Sequence, residues 1–582
     1  MQSVETKRQK LEALRTQLEQ ERASFIPHYR DLADHVLPRR PRFVVNDVNR
    51  GERRNLKIID STATLACRTL KSGMMGGVTS PARPWFKLTT PDPAVAELGH
   101  VKAWLAKVEE NMAGVFLRSN LYQCLPNIYG DLGTFAIAAL MIEEDFDNVV
   151  RFHVFPVGSY LVACDIRGKV NVFIREFRMT VRQIVEKFGK RDGKKIDWSN
   201  ISNHVKDKWE QNQKELWVDV CHVIMPNDDY DDKSSMAKNK KYASCYYEKA
   251  SDDQRKMLRE SGYDYFPVMV PRWEVTGEDV YGTDCPAMTA LGDIKQLQLG
   301  EKRIAQAIEK MVNPPLKGPS ALLSRKVSML PADFTADDSR DANQGLRPIH
   351  EINPRVAELE AKQEQIRNRI RRAFFEDLFL MFAGDDRPNI TATEISVRKE
   401  EKLLMLGSVL EQLNQDLLDP LIDTTFSIMV AQSMDGLGGF HDAGLVPPPP
   451  EEVQGVKLKV EYVSIMAAAQ KALGLASMER FLGTVLQVAQ VDQSILHKVD
   501  MDQYADEYAT RAGVPVGVVR TDEQVAAMRA KIAEQEAAAQ RMAAIEQGAG
   551  AAQKLSGASM EGDNALTRLV ENANAGSLVA AG

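Results

Sequence analysis

PAMTALGDIKQLQLGEKRIAQAIEKMVNPP, from Pro286 to Pro315, places apolar side chains at Leu291, Ile294, Leu297, Ile304, Ile308 and Met311. The steps are three and four residues, with Glu301 in the one gap, and this spacing predicts a single long amphipathic helix over Pro286–Val312. Pro286 suits a first helical turn, where its missing N–H costs nothing, and Asn313-Pro314-Pro315 stops the helix. A second stripe follows in Val356, Leu359, Ile366, Ile370, Phe374 and Leu378. It predicts a helix over Asn353–Ala383, with Asn353 as N-cap and Pro354 in the first turn. At 1.5 Å per residue each helix would be about 40–45 Å long. Two long helices therefore bracket an insertion of mixed polarity, residues 313–352.

On the C-terminal side comes a short polar loop, Gly384–Ile390, and then Thr391-Ala-Thr-Glu394. Thr391 and Glu394 have capping-box spacing, so each can satisfy the other's free backbone N–H. The helix they open is expected to run to about Met434, kinked at Pro420. Gly436–Gly439 and Pro447–Pro450 mark a boundary, and a short strand over Val456–Val463 leads into helices to about Ile545. Residues 546–582 lack a sustained apolar stripe, which predicts a flexible tail.

On the N-terminal side, Val4, Leu11, Leu14, Leu18 and Phe25 predict an amphipathic helix packed on its own domain. Helices are expected over Ser61–Met75, Val101–Leu117 and Leu121–Met141, the last interrupted at Gly130–Gly133. Between Val149 and Phe177, short runs rich in β-branched and aromatic residues alternate with turns, Pro156-Val-Gly158 among them, and predict an antiparallel meander. Trp217–Met225 and Tyr242–Tyr247 predict a further strand pair. The fold class is mainly α with a smaller antiparallel β component, α+β.

Composition narrows the chemistry. The 582 residues are 44% hydrophobic and 27% charged, as in ordinary globular proteins. The net charge of −7 disfavours a chain that wraps DNA by neutralising phosphates, though not one that only touches it. Six cysteines form no CxxC pair and nine histidines supply no HExxH, so neither a structural zinc site nor a disulfide framework is expected, and the thiols read as idle. The acidic run Asp228-Asp229-Tyr230-Asp231-Asp232 lacks the glycine and closing glutamate of a calcium loop and reads as a solvated turn. No GxxxxGK[ST] or GxSxG motif occurs. Gly73-Met-Met-Gly76-Gly77 reads as a tight turn, and Ser235-Met-Ala-Lys238 matches SxxK only by spelling. No catalytic residue, metal or cofactor is expected. The N-terminus is too charged for a signal peptide and the longest apolar run, Phe135–Ile142, is far short of the ~20 residues that span a bilayer. These features predict a chain with no membrane partner, soluble and cytoplasmic when made.

An ordered set of landmarks carries a family likeness. It comprises Arg53-Arg54, Asp60-Ser-Thr-Ala63, Gly73, Thr79-Ser-Pro81, Pro84-Trp85-Phe86, Pro156-Val-Gly158, Arg175-Glu-Phe-Arg-Met-Thr180 and Pro271-Arg-Trp273. Tyr281-Gly-Thr-Asp-Cys-Pro286, Leu291-Gly-Asp-Ile-Lys295, Thr391-Ala-Thr-Glu394, Arg398 and the Pro447 run complete it. In order and spacing the chain resembles the head-to-tail connecting (portal) proteins of short-tailed bacteriophages, from about Arg30 to Pro450. The resemblance implies a ring, usually of twelve copies, at one capsid vertex of the virion, through which double-stranded DNA is packaged and ejected. The partners implied are the terminase motor, tail adaptor proteins, and capsid and scaffolding proteins.

Mapped onto this chain, the likeness implies a wing over 1–285, stem helices over 286–312 and 353–383, and a clip over 313–352. A channel loop and long wing helix would occupy 384–446, a strand and helical crown 447–545, and the tail 546–582. Asp385, Asp386, Arg387 and Asn389 would face the DNA, with Thr391 and Glu394 capping the helix behind them. Lys317, Arg325, Lys326, Asp337, Asp338 and Arg340 of the clip would dock terminase and adaptors. A neutral or acidic lining lets a duplex slide, since each neutralised phosphate tightens binding. Asp385 and Asp386 fit that need, and Arg387 would add an axial ring of transient contacts. Two other readings stay open on the residues alone: a helical cytoplasmic scaffold or adaptor without a channel, and a DNA-processing enzyme.

Overall fold

Helix Pro286–Val312 spans the predicted range and buries Ala287, Ala290, Ile294, Leu297 and Ile304. It packs antiparallel on helix Val356–Ala373, whose Ile366 and Ile370 are buried. The predicted second helix does not run unbroken to Ala383: it turns at Phe374–Phe375, where Phe375 has φ +56°, and resumes as Glu376–Phe382. Left-handed backbone costs a bulky residue about 1–2 kcal/mol. Burial outweighs that cost, because Phe374 is wholly enclosed and the turn swings Leu378 and Phe379 onto helix Thr62–Gly77. Gly73 of that helix lies against the Phe379 ring. The glycine run at 73–77 is thus helix rather than the expected tight turn.

The computed structural model describes residues 6–96, 98–189, 191–192, 195–234, 236–251, 253, 255–313, 316–317, 347–348, 355–382, 407–434, 445–455, 458–462, 478–490, 498–512, 520 and 522–556. They fall into two units, one of 1–96 with 104–473 and one of 97–103 with 474–582. The proposed cap Asn353-Pro354 lies outside the described residues.

In the first unit a five-stranded antiparallel sheet runs Arg259–Tyr263, Tyr242–Glu248, Trp217–Pro226, Val170–Thr180, Tyr160–Cys164 in spatial order. Its side chains alternate between two cores, as the two-residue period of a strand requires. Ile174, Cys221, Val223, Cys245 and Tyr247 meet Leu11 and Leu18 of the N-terminal helix Lys7–Ala23. Met179, Val218, Val220 and Tyr246 meet Ile184 and Val185 of helix Val181–Phe188, and Val205 of helix Asn203–Glu210. The expected self-packing of the N-terminal helix therefore holds.

The expected meander is divided. Val149–Phe155 does not pair with Tyr160–Cys164; it pairs with Ala139–Asp145, which pairs in turn with Val268–Met269. The predicted helix over Leu121–Met141 ends at Phe135, Ala136 turns with φ +62°, and the apolar run behind it is a buried strand. Such a run reads equally as buried helix or buried strand. Gly130 and Gly133 do not interrupt the helix. A methyl at either would overlap Lys71 or Leu70 of helix Thr62–Gly77, so they set a close helix contact.

The expected strand near residue 460 is Lys459–Tyr462, and its partner is Phe86–Thr89, with Leu88 opposite Val460. Pro420 lies in the first turn of helix Asp419–Met434, and a π turn over Asn414–Leu418 joins that helix to helix Gly407–Leu413. All six cysteines are free, and all but Cys164 are buried. In the second unit, helix Met501–Ala512 and helix Asp522–Ser556 are tied by Arg529, which donates to both oxygens of Asp502 at 2.6 and 2.8 Å. The latter helix runs past residue 545, where the sequence had placed the end of the helical part.

Candidate functional site

The long helix pair and the loop before helix Thr62–Gly77 form a polar anchor in the first unit. Gln298, in the middle of helix Pro286–Val312, is buried. Its Oε1 accepts from the Ile59 and Asp60 amides at 2.6 and 2.8 Å, and its Nε2 donates to the Asp60 carbonyl at 2.8 Å. Asp60 in turn accepts from the Thr62 amide at 2.8 Å, at the start of the next helix. Arg367 donates to Asp60 at 2.9 Å and to Glu301 at 2.6 Å, joining both long helices to this loop. Burial pushes the Asp60 carboxyl upward, but hydrogen bonds from Thr62 and Arg367, with the Arg367 charge, hold it below its ordinary value. Arg369 pairs with Asp293, about two turns nearer the start of the first long helix, at 2.8 Å.

Past this anchor the character of the helix pair changes. Ile308, Met311 and Val312 are 43%, 48% and 77% exposed, and Leu359 on the partner helix is 41% exposed. Leu316–Lys317 and Arg347–Pro348 then pair antiparallel, so the two ends of the insertion leave the helices side by side. The inner turns are tied within the chain by the anchor, although Leu299 beside Gln298 is 49% exposed, and the outer turns carry most of the exposed apolar side chains.

Two further buried ion pairs fix the surroundings. Asp131 is fully enclosed and takes Arg40 through both carboxylate oxygens at 2.6–3.0 Å. Arg272, 4% exposed, donates to Asp416 of the π turn at 3.1 Å and to the Gly168 carbonyl at 2.8 Å. Removing one partner of such a pair leaves an uncompensated charge, so both hold their elements firmly. Among the described residues no cluster of His, Cys, Asp or Glu could hold a metal, and no helix is long and apolar enough to cross a membrane.

Lys317 sits in the short strand opposite Arg347. Asp385, Asp386, Arg387, Asn389, Thr391 and Glu394 lie outside the described residues, as do Arg325, Lys326, Asp337, Asp338 and Arg340. Of the anchor residues, Asp60 is one of the sequence landmarks of the likeness, whereas Gln298 and Arg367 carry no sequence signal. Arg367 lies 307 residues from Asp60 and looks there like any charged residue on a solvated helix face. Glu301 and Gln363 interrupt the apolar stripes because they are used within the chain, Glu301 by Arg367 and Gln363 packed over Gly300.

Residues 8–519 match the family described as bacteriophage head to tail connecting protein. The match extends beyond the segment from about Arg30 to Pro450 that carries the sequence landmarks. The chain is 45% identical over 572 residues to a protein of Salmonella phage epsilon15 named "Portal protein", covering 98% of this chain and 99% of that one. It is 42% identical over 551 residues to a "Probable portal protein" of Bordetella phage BPP-1, covering 95% and 96%.

Proposed function

We propose a mode of action for this chain from the premise that it belongs to the bacteriophage head-to-tail connecting (portal) proteins. It is a structural connector of the phage particle and not an enzyme. Its copies, made in the host cytoplasm, close into a ring of about twelve at one capsid vertex, and double-stranded DNA passes along the axis in packaging and ejection. Terminase docks on this ring during packaging and tail adaptors dock afterwards, while capsid and scaffolding proteins surround it.

The observation that carries this reading is the helix pair with locked inner turns and exposed apolar outer turns. Ile308, Met311, Val312 and Leu359 are left exposed by the described residues, and a neighbouring copy would supply the cover. The pair is the stem, and the insertion 313–352 is the clip, ordered against the next subunit, with Lys317, Arg325, Lys326, Asp337, Asp338 and Arg340 as its docking charges. The loop 384–390 carries Asp385, Asp386, Arg387 and Asn389 to the channel wall, and Thr391 with Glu394 fixes how far it projects. Residues 1–285 with the helix ending near Met434 form the wing, and 447–545 the crown. A net charge of −7 suits a channel that does not hold the duplex.

Electron cryomicroscopy of the purified protein tests the whole reading. End-on views should show a closed ring with an axial channel, and side-chain density should place Asp385–Asn389 at the narrowest bore and 313–352 between adjacent copies. Particles without a channel at micromolar concentration would refute the ring. A bore set by other residues would remove the loop from its role.

A further inference from the structure

A cleft of about 770 Å³ lies where the end of the N-terminal helix, the segment 42–50 and the middle of strand Val170–Thr180 meet. Strand Tyr160–Cys164 ends opposite Arg175, so Glu176–Thr180 pair on one side only, with Trp217–Cys221, and leave an open sheet edge at the cleft. The charged side chains of the wall are Arg22, Arg42, Arg50, Arg175, Arg178 and Lys249 against Glu19 and Glu176. That is six positive and two negative charges in a chain whose net charge is −7. Arg178 is held by Asp219 and Lys249 by Glu176, whereas no described carboxylate lies in ion-pair contact with Arg42 or Arg50. Val44, Val48 and Trp217 at the same cleft are about half exposed, so the wall offers apolar contact beside its charge.

The complementary chemistry is on the same chain. Asp228-Asp229-Tyr230-Asp231-Asp232 follows strand Trp217–Pro226 and puts four carboxylates and a half-exposed tyrosine at one tip. Lys233, Lys238, Lys240 and Lys241 come after the tip rather than within it, and Lys240 is occupied by Asp264. Trp217 stands at the far end of this ten-residue strand, about 30 Å from its tip end, and Arg175 of the same wall pairs with His222, so on this one sheet the cleft begins about 15 Å from the tip end. None of Asp228–Asp232 lines the cleft of its own chain. Two complementary patches at separate places on a rigid body make a head-to-tail contact, which repeats from copy to copy until it closes.

We propose that the acidic tip Asp228–Asp232 of each subunit seats in the basic cleft of the next, with carboxylates on Arg42 and Arg50 and Tyr230 against Val44, Val48 and Trp217. The contact rests on the ring reading above and names one of the surfaces that closes it. It is electrostatic at its rim and therefore weakens with salt.

Charge reversal tests it in the full chain. One variant carries Asp228→Lys, Asp229→Lys, Asp231→Lys and Asp232→Lys; a second carries Arg42→Glu and Arg50→Glu; a third carries all six. Assembly is read by mass photometry over a protein and salt titration, with far-UV circular dichroism confirming that each chain is folded. Each one-sided variant should need about tenfold more protein than the parent for half assembly at low salt, and the six-fold variant should regain most of the loss. A one-sided variant that is folded and assembles like the parent overturns the contact, as does a six-fold variant no better than the one-sided ones. A parent that forms no ring at any concentration instead refutes the ring reading, and this contact falls with it.

Discussion

Arg367 binds Asp60 and Glu301 at once, so its removal acts on two helices and a loop together. Replacing it with methionine keeps much of the aliphatic bulk and should cost about 1–2 kcal/mol at pH 7, for two charge-assisted bonds at a partly exposed site. The folded-state value of Asp60 lies below its ordinary one, so its contribution is complete above that ordinary value and is lost as pH falls through the folded one. The gap between parent and Arg367→Met in urea unfolding should therefore narrow toward pH 3. A gap that stays constant would assign the effect to packing. Glu109 has the opposite sign: burial raises its carboxyl to about 7, against a hydrogen bond from the Leu88 amide and the charge of Lys87. Its protonated form favours folding, so that contribution is lost as pH rises from about 4.3 through 7. Glu109→Gln should be close to neutral at pH 4 and more stable than the parent by about 1–3 kcal/mol at pH 8, measured by the same unfolding series. Sequence made the helix faces legible at this scale, because apolar spacing is local. It hid these polar partners, because Asp60 and Arg367 are far apart in the chain and each alone looks solvated.

Among the elements, the broken second helix depends on one close approach. A methyl at Gly73 would overlap the Phe379 ring near its attachment, where the side chain cannot swing clear. Gly73→Ala should cost about 2–3 kcal/mol through overpacking despite alanine's better helix propensity. Thermal unfolding of the variant checks this, and a rise in midpoint would show that the Glu376–Phe382 segment is free to shift. The same element explains what sequence could and could not convey. Pro286 and Asn313-Pro314 bounded the first helix correctly because they are local stop and start signals. The turn at Phe375 has no such signal; a left-handed phenylalanine is imposed by the burial of Phe374, Leu378 and Phe379. The run after Phe135 was misassigned because a fully buried strand has no alternation to reveal it.

For the molecule as a whole, the longest-range strand pairing among the described residues is Phe86–Thr89 with Lys459–Tyr462. The Leu88 amide is taken by Glu109, so it faces away from the partner strand, and antiparallel alternation then assigns the ladder bonds to Lys87 and Thr89, opposite Glu461 and Lys459. Glu461→Pro should abolish a ladder bond and erase the hydrogen-exchange protection of the Phe86–Thr89 segment beyond Leu88, while leaving the five-stranded sheet protected. Unchanged exchange in that segment would show that the pairing contributes nothing. The order of this tie also bears on synthesis. Phe86 leaves the ribosome some 370 residues before Lys459. At about 5–20 residues per second the strand waits roughly 20–70 s for its partner. Throughout that interval the nascent chain carries an unpaired edge beside Trp85 and Phe86, so a polypeptide released early is a sticky fragment, and only translation past Tyr462 seals it.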